Sequence, residues 1–507
     1  MQEPRPLIFA PSQLWHGNDG SWSSFILRVG TPEQNFRVLP SSATGELIIP
    51  HAVGCQPSNG DPAECAELRG VFDTNRQGFL PNASTTWKEV GFYGMGLESK
   101  LGYADDALYG TDTVGLMIQN SGGPTLGNQL IGAVRQMPFF IGLFGLSPEA
   151  SNFTNFDHPQ RSFLTTLKHE RQIPSLSYAY NAGAYYSNLL FQSFDVVLTD
   201  PGTPKVFGSL TLGGFDQNRF EPNNFTFPFD QDDTQLTSLK LQQITAEHTF
   251  NGSVVLLQEE TYVNLDFTMP YLWLPRDVCD RIAAFFKLEY DNTTELYLVD
   301  DTTHQDLLAR NPSFTFAFGE SPSLVDTVSI ELMYAAFDLQ ASWPIYNESK
   351  NYFPIRRTTN ASQYTLGRAF MQEAYVIVDF ERRNFSLHQA AFPASNQVKL
   401  VSIPAKGTEK HEAAHGLDQG SIAGIVTGST VFVVLLVMLA ALLCYRKKRR
   451  SPKEQRNVEL CISSEKHSVT TELPDNKTMR MEMMSTEVLE LQSSREEVEG
   501  RPRYELA

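Results

Sequence analysis

Two constellations in this 507-residue chain have residue types and spacing that could do chemistry. The first is a pair of matched frames, FRVLPSSATGELIIP from Phe36 to Pro50 and YVNLDFTMPYLWLP from Tyr262 to Pro275. Val38 stands three residues before Ser41, and Leu47 and Pro50 follow it by six and nine. Val263, Leu272 and Pro275 keep the same offsets from Asp266, 225 residues further on. Phe144-Gly145 and Leu366-Gly367 repeat as well, their glycines 104 residues after Ser41 and 101 after Asp266. Repetition at fixed offsets marks a duplicated unit, so two lobes should each bring a similar loop to a shared middle. One loop offers a carboxylate, which moves protons as a general acid or base. The other offers a hydroxyl with no base beside it in sequence. The second constellation is His411-Glu412-Ala413-Ala414-His415. On a helix this pattern sets two imidazoles on one face with a glutamate as base, as a zinc site needs. Here it lies in a polar run just before an apolar stretch, with no core to hold a helix rigid, and Asp418 stands where the extended form of the motif has glycine. No metal or cofactor is expected.

The frames need strands to carry them. Phe25 to Val29 reads as a strand, Gly30 to Glu33 as a turn, and Asn35 to Leu39 as a returning strand that delivers Ser41 to a loop tip. Gly94 and Gly96, after Phe92-Tyr93, mark a second hairpin tip with Tyr93 on it. Pro138 to Pro148 reads as a buried strand and turn, Ser162 to Arg171 as a short helix. After Pro275, Val278, Ile282, Phe285 and Phe286 recur at helical spacing. Ala374 to Phe380 is strand-like. An aromatic content of 11%, with 34 Phe and scattered Gly and Pro, suits a β-rich body.

Ser421 to Cys444 carries no charge and is long enough to cross about 30 Å of hydrocarbon. Arg446 to Arg450 follows as a basic stop, which places the tail in the cytosol and the rest outside or in a lumen, at the cell surface or the vacuole. The expected layout is an N-terminal lobe over 1–195, a C-terminal lobe over 196–392, a stalk over 393–420, a membrane helix over 421–445 and a disordered tail over 446–507. The opening MQEPRPLIFA has no basic-then-apolar leader, so the natural chain is expected to start further upstream. Asn82, Asn152, Asn224, Asn251, Asn292, Asn347, Asn360 and Asn384 are candidate glycosylation sites. Cys55 and Cys65 could close a short disulfide loop, Cys279 reads as a buried thiol, and Cys444 is a candidate for palmitoylation. The net charge is −18, and the tail after Tyr445 holds 13 basic and 12 acidic residues, so the acidity lies in the ectodomain. That excludes nucleic acid as a partner and fits an acidic medium.

Taken together, the motifs resemble the pepsin-like aspartic proteases (peptidase A1), most of all membrane-anchored fungal members, over about residues 15–392. Gly30-Thr31-Pro32 with Gln34, Phe36 and Val38 is similar to that family's opening motif, and Tyr93-Gly94-Met95-Gly96 to its active-site flap. Ile141 to Leu146, Leu210 to Asp216, Tyr364 to Phe370 and Val378 to Phe380 resemble its later signatures. The resemblance implies an all-β, bilobal fold with a cleft between the lobes. It also implies two Asp-Thr/Ser-Gly loops whose aspartates share one proton and hold a water between them. In this chain the first motif falls on Ser41-Ser42-Ala43 and the second on Asp266-Phe267-Thr268. One aspartate is missing and both glycines are replaced. No Asp occurs between Asp19 and Asp61, and Glu46 lies five residues past the slot.

Acid–base terms are worth about 10²–10⁴-fold each, and the loss of the pair also removes the positioned water. The expectation is a catalytically impaired pseudoprotease whose cleft takes an extended peptide by strand-like hydrogen bonds. The alternatives are an active acid endopeptidase and a surface protein with a closed cleft.

Overall fold

The computed structural model describes residues 3–57, 60–153, 158–186, 205–320, 327–393 and 397–408, together with the backbone of 501–502. Ser421 to Cys444, the histidines of the HExxH pattern and most of the tail lie outside these residues. Among the described residues no helix is long and apolar enough to cross a membrane.

The first lobe is built on one eight-stranded sheet, with central strands such as Trp22–Val29 and Leu47–Pro50 buried along their whole length. Its strands run Pro11–His16, Trp22–Val29, Gln34–Ser41, Gly142–Gly145, Leu47–Pro50, Thr125–Val134, Asp106–Leu116 and Lys88–Gly94 in spatial order. The second lobe repeats the plan with Val328–Met333, Ser313–Phe318, Ser238–Thr249, Thr261–Leu265, Thr365–Leu366, Leu272–Leu274 and Ile355–Arg357, and Gly252–Leu257 pairs at its side. A six-stranded sheet joins the halves: Leu7–Phe9, Val206–Leu212, Ser177–Ala184, Ala374–Asp379, Asn384–Gln389 and Phe227–Pro228. The changeover expected at 195/196 falls between two of its strands, in residues outside the described set.

The two landmarks of the sequence mark the centre of each lobe. In the first, Gln34–Ser41 pairs in parallel with Gly142–Gly145, which pairs antiparallel with Leu47–Pro50. In the second, Thr261–Leu265 pairs in parallel with Thr365–Leu366, which pairs antiparallel with Leu272–Leu274. Each loop is therefore gripped between the strands before and after it. Only glycine fits where the landmark strand crosses. A Cβ on Gly145 would lie 2.4 Å from Glu46 O, and one on Gly367 2.2 Å from Tyr271 O.

Helices sit outside these sheets. Arg276–Phe286, read from its apolar spacing, buries Val278, Cys279, Ile282 and Phe286, and Phe163–His169 starts from a Ser162 cap. The stalk expected from Pro393 needs a correction. Leu400–Ser402 pairs antiparallel with Gly214–Asp216, and Lys406 N donates to Glu381 Oε2 at 2.7 Å, so the chain stays strapped to the body as far as Lys406. Strand pairing needs only backbone, which is why a run with no apolar period gave no sign of it. Arg501–Pro502 pairs in parallel with Ser151–Asn152.

Candidate active site

The two loops meet at the floor between the lobes. Ser41, fully buried at the end of its strand, places its Oγ 2.8 Å from Thr268 Oγ1 of the other lobe. Ala43 N donates to the same Thr268 oxygen at 3.3 Å. Ser42 Oγ donates to Asp266 Oδ1 at 2.8 Å and accepts from Phe267 N at 3.2 Å. Within the second loop, Thr268 N also donates to Asp266 Oδ1, at 3.1 Å. The bonds cross reciprocally from lobe to lobe, as expected of two related loops meeting about an axis.

Among the described residues no hydrogen bond joins Asp266 to another carboxyl group. Glu46 is buried and turned the other way, accepting from Tyr109 OH at 2.8 Å and Ser151 Oγ at 2.6 Å. Asp266 Oδ1 is committed to Ser42 and Thr268, while Oδ2 has no hydrogen-bond partner among the described residues. Phe267, where the motif has a small hydroxyl residue, packs under the floor with its ring centroid 4.5 Å from that of Tyr180.

A cavity of about 230 Å³ lies above Asp266. Ser42, Asn264, Thr237 and Tyr178 are among its lining residues, and the stretch Gly96 to Lys100 contributes to its roof. Burial first, then the charge of Asp266, pushes the Tyr178 phenol well above its usual range, so it stays protonated. The roof is pinned to the second lobe: Gln363 Nε2 donates to Lys100 O at 2.6 Å, and Lys100 Nζ reaches Thr234 O at 3.5 Å.

This changes the place of Tyr93, which the glycine spacing puts at the hairpin tip. The strands of that hairpin are Lys88–Gly94 and Asp106–Leu116, so the tip is the longer excursion between them. Tyr93 sits at the end of the first strand with its ring buried, centroids 4.9 Å from Phe153 and 6.3 Å from Tyr109. Leu97, Glu98, Ser99 and Lys100 cover the cavity in its stead.

Sequence reasoning also missed Arg368, a buried cation that follows the landmark Gly367. Its Nε donates to Phe267 O at 3.2 Å and its Nη2 to Thr268 O at 2.6 Å, fastening the second loop from behind. A charge inside the apolar run LGRAF was the available signal. Nothing in the sequence pointed to Gln363, whose partner is a backbone carbonyl 263 residues away.

Cys55 and Cys65 are joined, with Cα atoms 5.7 Å apart. Cys279 is a buried free thiol, pushed far above its usual range chiefly by burial. Of the eight glycosylation candidates, Asn82, Asn224, Asn251, Asn292, Asn347 and Asn360 are exposed and Asn384 is half-buried. Asn152 is the exception: it is 3% exposed, which leaves no room for a glycan on that side chain in the folded state. Among the described residues no group of three or more His, Cys, Asp and Glu side chains is placed to hold a metal ion.

Residues 25–390 match the family model described as eukaryotic aspartyl protease. The chain is 22% identical to secreted aspartic protease 4 of Candida albicans over 385 residues, covering 74% of this chain and 78% of that protein. It is 23% identical to aspartic proteinase yapsin-3 of Saccharomyces cerevisiae over 438 residues, 82% of this chain and 76% of the relative. Barrierpepsin of the same yeast is 26% identical over 217 residues, 41% of this chain and 34% of its own length. With two lobes of one plan, paired loops at the floor and a hairpin over the cavity, this chain belongs to the eukaryotic aspartyl protease family.

Proposed function

We propose that this is a non-catalytic member of its family, an acidic, glycosylated, membrane-anchored protein whose interlobe cleft binds a ligand without cutting it. The carrying observation is the hydrogen bond between Ser41 Oγ and Thr268 Oγ1 at the place where the family motif puts its first carboxylate. Amide hydrolysis on this plan needs one carboxyl to take a proton from water while a second gives one to the substrate oxygen. A serine hydroxyl titrates far outside the working range, and here it is spent on a neighbouring hydroxyl.

An extended peptide in the cleft requires the roof to lift, because 230 Å³ lies below the range of about 300–1,000 Å³ typical of ligand pockets. The bonds from Lys100 and Gln363 are the ones that must open. The secreted relatives and the apolar run at Ser421 to Cys444 support an ectodomain outside the cell or in the vacuole. The pairing of Arg501–Pro502 with Ser151–Asn152 favours a second reading, in which the tail stays on the same side as the lobes. Protease protection of a C-terminal tag in sealed vesicles separates the two.

The test of the main reading is hydrolysis of a denatured protein substrate by the purified chain between about pH 3 and 5, where a two-aspartate pair would hold one proton. No cleavage is expected. Cleavage that disappears in Asp266→Asn would establish the protease instead.

A further inference from the structure

We propose that the cavity under the roof binds a small organic cation, a primary ammonium on a short alkyl chain, with the ammonium seated on Asp266. The inference rests on the reading that this floor does not cut peptides, and it names the chemistry the floor would hold instead.

Asp266 is 5% exposed, and its Oδ2 has no hydrogen-bond partner among the described residues. That oxygen faces the cavity rather than being sealed among protein atoms, so a cation entering the cavity would meet it directly. Its neighbours supply donors to Oδ1 alone. Tyr178, 2% exposed on the same cavity wall, has a hydroxyl that is likewise without a hydrogen-bond partner among the described residues. An ammonium has three N–H donors and no acceptor, which suits a site offering a carboxylate oxygen and a phenol oxygen.

Charge points the same way. Asp266, Asp233 and Glu98 line the cavity against one basic side chain, Lys100, and that ammonium is drawn to Thr234 O of the second lobe. Asp233 leans on Arg383 at 3.7 Å, outside the lining, and Arg368 is committed to the carbonyls of Phe267 and Thr268. The field inside is therefore negative, and an anionic guest would meet it unfavourably. Leu97, Leu236 and Phe380 supply apolar wall for a few methylenes, and the volume admits a guest of a few heavy atoms while the roof is pinned.

The ammonium could arrive as a free amine or as the end of a lysine side chain, and the probes distinguish these. Titration calorimetry on the full-length protein, at fixed ionic strength near neutral pH, would compare n-butylammonium with n-butanol, butyrate and a blocked lysine tripeptide. Butylammonium is expected to bind and the two isosteres not. Asp266→Asn should weaken binding about tenfold or more, and Tyr178→Phe should weaken it severalfold with the fold intact by circular dichroism. Tripeptide binding only after Gln363→Ala would assign the cavity under the pinned roof to free amines; binding to the parent would assign it to side chains as well. Equal binding of butylammonium and butanol, or parent-like affinity in Asp266→Asn, would overturn the proposal. The cleavage assay is read separately. Hydrolysis lost in Asp266→Asn would remove the non-catalytic reading, whereas absence of both hydrolysis and amine binding removes the ammonium site alone.

Discussion

Replacing Ser42 with alanine tests the reasoning about the floor most directly. Ser42 Oγ gives a hydrogen bond to the Asp266 carboxylate and takes one from Phe267 N, so one side-chain oxygen of the first lobe serves two groups of the second. A hydrogen bond to a charged group contributes about 1.5–3 kcal/mol, and a backbone N–H left without an acceptor adds about 1 kcal/mol. Ser42→Ala should therefore lower stability by about 2–4 kcal/mol, a large share of the usual total. Asn at 266 keeps an acceptor but loses the charge. In that background the same change should cost less, giving a coupling of about 1–2 kcal/mol in a double-mutant cycle. Urea unfolding of the four proteins near neutral pH measures it, and Ser42→Thr, which keeps the hydroxyl, serves as the rescue. A loss under about 0.5 kcal/mol, or no coupling to Asp266, would refute the claim that this hydroxyl holds the lobes together.

Three further outcomes follow from other parts of the body. Burial chiefly, with the Glu331 charge adding and the Tyr186 hydrogen bond opposing, raises Glu373 from 4.5 to about 7. A carboxyl raised in the folded state favours folding while protonated, so its contribution falls as pH rises from 4.5 through about 7, reaching about 3 kcal/mol. Glu373→Gln should remove that slope. His16, His51 and His388, each lowered to about 4, pull the other way, so the difference between parent and variant is the quantity to read. Removing the Cys55–Cys65 bridge, whose sequence separation is 10, should cost about 3 kcal/mol by loop entropy, measured by the same unfolding with Cys55→Ser/Cys65→Ser. For folded protein from a secretory host, Asn360→Gln should shift gel mobility by one glycan while Asn152→Gln leaves it unchanged, since a glycan on Asn152 would bar the side chain from its buried place.

The centre of the fold was legible because chemistry and spacing agreed there. The offsets around Ser41 and Asp266 reflect one strand–loop–strand plan used twice. The landmark glycines are fixed by backbone approaches that no side chain survives. What stayed hidden depends on partners remote in sequence. The roof over the cavity could not be sized from Gly94 and Gly96, because the turn continues through residues with no shared pattern before the chain returns at Asp106. The strap at Leu400–Ser402 uses backbone bonds to Gly214–Asp216, which leave composition unmarked. Buried Asn152 shows the same limit, since its tripeptide is sound and only the fold conceals it.

The residues in the two motif slots also explain how the loops meet. In the family plan two carboxylates are brought side by side, and their repulsion is relieved only by a shared proton, so the contact itself depends on pH. Ser41 carries no charge to lose, and its bond to Thr268 joins two neutral hydroxyls. Ala43 N reaches the same Thr268 oxygen, where the family's glycine has no side chain to offer. A clasp of this kind keeps its strength across the pH range in which an aspartate pair would gain or lose its proton. Ser41→Asp should reverse that. A second carboxylate against Thr268 and beside Asp266 would make the lobe junction strongest in acid and weaken it as pH rises. Because Thr268 still occupies the space between the loops, the single change should alter the pH profile of unfolding without yielding peptide cleavage.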